Sequence, residues 1–185
     1  SAATVTTNSD ATFTINGNSC TYPLALELSG GTDTLHSAAG VTVPVATMRS
    51  IVASSASSKA NISPFSTLIY HALLKDKTNL TDAGVTTSNA SSAITSQATS
   101  VINSFGFGVD ANTDGSSNSS FNPIAYSLGN TNIATFVQAS EALSETIRRT
   151  AKAAGGVSTT NIEAILKTLG QDLSDDTLDG NMKKA

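Results

Sequence analysis

The chain has 185 residues, and its 14 acidic and 10 basic side chains leave a formal net charge of −4. Charged residues make up only 13% of it, against an ordinary share of roughly 25%. This balance argues against nucleic acid as a partner. No apolar run approaches the roughly 20 residues that span a bilayer, since the longest, Leu68 to Leu74, is broken by His71.

Residues 1–60 read as short strands joined by turns. Thr4–Thr7 and Thr12–Ile15 flank the turn formers Asn8-Ser9-Asp10, and Asn16-Gly17-Asn18 is a second turn signal. Tyr22 to Leu28 alternates apolar and other residues, Ser29 to Asp33 reads as a loop, and Val41–Val45 and Met48–Ala53 are further strand candidates. Cys20, the single cysteine, excludes an internal disulfide framework. It reads as a small buried hydrophobe in a strand, with pairing between chains as the alternative. Ser54 to Ser58 is a small polar connector. The expectation is a small, sandwich-like β portion with open edges.

The period changes from two to 3.6 at Asn61-Ile62-Ser63-Pro64-Phe65-Ser66-Thr67-Leu68. Ser63 suits an N-cap and Pro64 the first helical position, so a helix is predicted from there to about Lys75–Lys77. A second is predicted over Ser88–Phe105, stopped by Gly106, with Ala90, Ala93, Ile94, Ala98, Val101, Ile102 and Phe105 inward. A polar loop over Asp110–Ser120 follows. A third helix is predicted over Asn132–Ala154, with Phe136, Val137, Leu143, Ile147 and Ala154 inward and Gly155-Gly156 ending it. The fourth is capped by Ser158, with Gly170 as its stop. Glu145 and Arg149 stand at i,i+4, which makes the basic cluster Arg148, Arg149 and Lys152 an intrahelical ladder rather than a phosphate-binding stripe. The predicted class is α+β: a β portion over residues 1–60, then a four-helix bundle-like portion over residues 61–185.

Four short segments follow one another in order: Leu28-Ser29-Gly30-Gly31-Thr32-Asp33, the Asn61–Leu68 join, Phe105-Gly106-Phe107 and Asn122-Pro123-Ile124. This order resembles modules of large bacterial extracellular and cell-surface proteins. In these a small β portion with a Gly-Gly-Thr-Asp turn precedes a helical portion opened by a Pro-Leu-Thr-Thr-Leu-type segment. Here Phe65 stands for the usual Leu, Ser66 for Thr, and Asn122 for the Asp of an Asp-Pro step. The resemblance implies a secreted module of an adhesin-like or matrix protein, without catalytic residues.

The candidate site is a calcium loop. Asp110-Ala111-Asn112-Thr113-Asp114-Gly115 places side-chain oxygens at alternate positions before a glycine turn, with the Ser116 carbonyl and Asn118 amide next in register. The twelfth position is Phe121, where a bidentate Glu normally closes the site, so binding is expected to be weak or completed from elsewhere. A polar loop of turn formers is the alternative. A second acidic group, Asp172, Asp175, Asp176 and Asp179, suits either a divalent ion or a helix terminus. Of the two histidines, His36 and His71, the second lies mid-helix and reads as an interfacial core residue. Formal glycosylation sequons at Asn61, Asn79, Asn89 and Asn118 carry little weight in a chain so rich in Ser and Thr. No nucleophile elbow, zinc spacing or phosphate loop occurs.

These features favour a secreted structural protein that assembles with copies of itself into a filament, matrix or adhesin. Ala3-Thr4-Val5-Thr6-Thr7 is the segment available for donation to a neighbour. The alternative is a calcium-dependent glycan- or ligand-binding surface module, weakened by the absence of Trp.

Overall fold

The structure, a computed structural model, describes residues 3–17, 19–33, 43–57, 59–109, 121–125 and 133–181. Among these the order is β1 (Leu24–Leu28), β2 (Thr32–Asp33), β3 (Val43–Pro44), β4 (Met48–Val52), α1 (Pro64–Leu74), α2 (Ala90–Phe105), α3 (Ile133–Ala153) and α4 (Thr159–Asp172). A 3-10 turn over Leu173–Asp175 follows. The chain is therefore α+β, with strands before Pro64 and helices after it. β1 pairs antiparallel with β4, Leu26 opposite Ser50 and Glu27 opposite Arg49. β2 pairs with β3 in a two-residue ladder.

The capping residues explain where α1 begins. The Ser63 hydroxyl accepts from Ser66 N at 3.2 Å, and the Ser66 hydroxyl accepts from Ser63 N at 2.8 Å. These bonds satisfy two backbone donors, and Pro64 at the first turn has none to satisfy.

All eleven residues of α1 are buried. Phe65, Leu68, Ile69, Ala72 and Leu73 enter the apolar core. The polar side is covered by β4. Arg49 N donates to Thr67 Oγ1 at 2.9 Å, and Ser66 Oγ lies 2.7 Å from Arg49 O. Two hydroxyls of the helix thus act as a third strand's backbone would along the outer edge of β4. Ser66→Ala leaves Ser63 N without its partner and Arg49 O with only the longer bond from Thr67 Oγ1 at 3.3 Å, and a buried group left unpaired costs about 1–3 kcal/mol. Chemical denaturation should show a loss of that size, and a loss below about 0.5 kcal/mol would mean that water replaces the hydroxyl.

The remaining helices pack around α1. Its neighbours include α4, α2, β4 and α3. One cluster of buried apolar residues runs from Ile51 in β4 through the four helices to Leu173. Phe65, Phe136 and Phe121 form its aromatic centre, with ring centroids 6.0 Å apart in the Phe65–Phe136 and Phe121–Phe136 pairs. The second and fourth segments of the resemblance meet here: Asn61 N donates to Ile124 O at 2.7 Å, and Asn61 Nδ2 to Pro123 O at 3.0 Å.

α3 buries Phe136, Ala139, Leu143, Ile147 and Ala151 along one stripe. Val137, expected inward, is 50% exposed, because it lies one residue and about 100° off that stripe. Ala154, also expected inward, is exposed beyond the last turn. There the helix closes as Gly156 N reaches back to Ala151 O, with Gly155 at φ 120° and Gly156 at φ 130°, conformations that glycine alone adopts freely.

Further expectations are corrected. Thr32–Asp33, expected as the end of a loop, forms β2 and pairs with β3. Thr4–Thr7 and Thr12–Ile15 form no strand. Their turn does form: Ala11 N reaches Asn8 O, Asn8 N reaches Thr12 O at 2.8 Å, and Ala11 takes φ 61°, the pattern of a three-residue hairpin loop. The arms have no core to cover, and β propensity is largely a preference for a half-buried pleated surface. Cys20 lies in a turn after Gly17 rather than in a strand, half-buried and free. Gly170 does not end the fourth helix but lies inside it.

Candidate functional site

The calcium-loop residues Asp110, Asn112, Asp114, Ser116 and Asn118 lie outside the described residues, as does His36. The second acidic group is described, and its members serve local turns. Asp175 Oδ1 accepts from Thr177 N at 3.1 Å, and Asp179 Oδ1 from Asn181 N at 2.9 Å. Asp172, at the end of α4, is buried with Oδ1 unpartnered. Among the described residues no three His, Cys, Asp or Glu side chains converge to hold a metal ion.

The basic cluster on α3 is an intrahelical network. Arg148 clamps Glu145 through Nε at 2.6 Å and a terminal nitrogen at 2.8 Å, and Arg149 Nε adds a bond of 2.7 Å. Hydrogen bonds from Arg148 and then Arg149 hold the Glu145 carboxyl down at about 2. Among the described residues no helix is long and apolar enough to cross a membrane.

Two surface features stand out among the described residues. The first is the outer edge of β1. Arg49 turns its backbone groups away from β1 toward α1, so Arg49 and Glu27 form a non-hydrogen-bonded pair. Glu27, and Ala25 two residues before it, then point their N–H and C=O groups away from β4, where no described residue meets them. The outer edge is occupied at Arg49 of β4 and at Thr47 just before it: Thr47 N donates to Glu163 Oε1 at 2.9 Å, and Ser66 and Thr67 take Arg49. The Glu27 carboxylate is paired with Arg49 at 3.0 Å.

The second is a cleft of about 350 Å3 between the C-terminal half of α1, β4 and α4. α4 supplies Glu163, Lys167 and Gln171, spaced by four so that they share one face. α1 supplies Tyr70 and His71, and β4 supplies Arg49, whose guanidinium lies 5.9 Å from the Tyr70 ring centre. The Gln171 amide donates to Lys75 O and pins α4 to the end of α1.

His71 is the interfacial residue expected, 7% exposed and edge-on to Tyr70, with ring centres 5.3 Å apart. Burial, then the charges of Arg49 and Lys167, lower its pKa to about 4 against an opposing effect of Glu163. Burial acts to raise the Glu163 carboxyl, but the Thr47 hydrogen bonds and Arg49 outweigh it and leave it below its ordinary value. Sequence reasoning missed this cleft. The polar stripe 163/167/171 was its one visible signal, while its partners stand on elements roughly a hundred positions away.

Compared with known proteins, the chain matches no family model, no curated protein and no solved structure.

Proposed function

We propose that the chain is a secreted structural module of a bacterial surface or matrix, and that its copies join by strand donation. The observation that carries this reading is an exposed extended segment together with a strand edge that no described residue occupies. Residues 3–7 are exposed, uncharged and free of any ladder, yet follow the extended chemistry of a strand. The outer edge of β1 offers the Ala25 and Glu27 backbone groups to such a segment. Unpaired edges of this kind are templates for a further strand.

Donation from one copy to the next is head to tail and extends without closing, which yields a filament. In that state the donated strand completes a sandwich-like β portion over a bundle-like helical body. The low charge, 13% of residues, suits a surface packed against copies of itself outside the cell.

Two variants test the reading without touching the core. Deleting residues 1–8 removes the donor. Ala25→Pro removes one acceptor-edge N–H at a position where an edge strand tolerates proline. The intact protein should form concentration-dependent polymers by sedimentation and electron microscopy, and both variants should remain monomers. Polymers that persist in either variant, or an intact protein that stays monomeric at every concentration, would refute strand donation.

A further inference from the structure

We propose that the cleft between α1, β4 and α4 binds a small hydroxylated carboxylate, an acidic monosaccharide by its size and hydrogen-bonding chemistry. This goes beyond the assembly reading and does not rest on it.

The charge in the cleft runs against the composition. The chain carries −4, yet Arg49, Lys77 and Lys167 line one concavity with a single carboxylate, Glu163, and of the three Lys77 is paired outside it with Asp76 at 3.1 Å. The Glu163 carboxylate is already engaged by Thr47 N at 2.9 Å. Arg49 gives one terminal nitrogen to Glu27 at 3.0 Å, and a guanidinium has five N–H donors. Lys167 is exposed and enters none of the ion pairs formed among the described residues.

Beside these cations lies His71, more than nine-tenths buried, with neither ring nitrogen hydrogen-bonded among the described residues. Neither ring nitrogen is among the enclosed unpartnered atoms, so the ring stays within reach of a ligand in the cleft that it lines. The imidazole is neutral near pH 7, so it offers one donor and one acceptor rather than a further charge.

The same geometry selects the ligand class. The C-terminal end of α1 forms one wall, and its dipole is negative there, which disfavours a dianion such as phosphate. A single carboxylate matches Arg49 and Lys167. Glu163, the Gln171 amide oxygen and the Thr78 hydroxyl provide acceptors for ligand hydroxyls, and the Tyr70 ring supplies an apolar side. A volume of about 350 Å3 lies at the small end of ligand sites and suits one sugar ring.

The test is an NMR titration of the His71 ring signals with glucuronate, with glucose and acetate as controls, in the intact chain and in Lys167→Glu. Glucuronate should displace the signals saturably, and Lys167→Glu should bind it roughly tenfold more weakly. Glucose should not saturate, and acetate should bind roughly tenfold more weakly than glucuronate. The proposal fails if glucuronate gives no saturable change, if Lys167→Glu binds it equally well, or if glucose or acetate matches it. Retained dispersion of the core resonances in Lys167→Glu separates lost binding from lost folding.

Discussion

Gly170→Ala should destabilise the protein by about 2–3 kcal/mol, and Gly170→Val should prevent folding. Gly170 is buried in the interior of α4, where alanine is intrinsically favoured over glycine by about 1 kcal/mol. Packing decides the sign instead. A Cβ at this position would stand 2.6 Å from the His71 Cβ, 2.7 Å from Leu68 O and 3.3 Å from Ala72 N. The first two are closer than real contacts allow, and both belong to rigid parts of α1 rather than to the tip of a flexible side chain. The helices must separate, and α1 is packed on its other sides by α2, α3 and β4. For a chain of this length the alanine variant should melt roughly 5–10 °C lower. Gly84→Ala is the contrast: nothing lies within 4 Å of its added Cβ, so the cost there is one of backbone conformation at φ 81°. A Gly170→Ala protein as stable as the parent would mean that α1 and α4 do not touch so closely.

The same glycine shows why part of the fold was legible and part was not. A glycine after an apolar stripe reads as a helix stop, and at Gly106 and Gly155-Gly156 that reading matches the ends of α2 and α3. At Gly170 the helix continues to Asp172, because the residue serves close approach rather than termination. One sequence cannot separate the two uses, since the deciding neighbour is about a hundred residues away. The start of α1 was legible because capping is local: Ser63, Pro64 and Ser66 carry it within four residues. Its complete burial was not, because the partner of Ser66 and Thr67 is Arg49 on a strand. The arms beside Asn8–Thr12 were read as strands from residue type alone, and a turn without a surface to cover left them unpaired. The cleft joins these cases, since Arg49, His71 and Lys167 come from three elements that only the packing of α1 brings together.

The stability of the protein should fall by about 3 kcal/mol as the pH drops from near 7 toward 4, and His71 should account for the upper part of that fall. Its folded pKa is lowered from 6.5 to about 4, chiefly by burial and then by the Arg49 and Lys167 charges, with Glu163 opposing. Between those values the unfolded chain binds a proton that the folded chain does not. Stability therefore rises with pH across that window, is fully present above about 6.5 and is lost progressively below it. At about 1.36 kcal/mol per pH unit the full span amounts to about 3 kcal/mol. Glu145 and Glu163 have lowered folded values, so they hold stability above the ordinary carboxylate range and lose it only as the pH falls through that range. The interval from about pH 6.5 to 5 thus belongs to the histidine. Denaturation midpoints measured across it should slope in the parent and flatten in His71→Gln. An equal slope in the variant would place the proton uptake elsewhere, and an NMR titration showing His71 protonated near pH 6.5 would contradict its burial as a neutral ring.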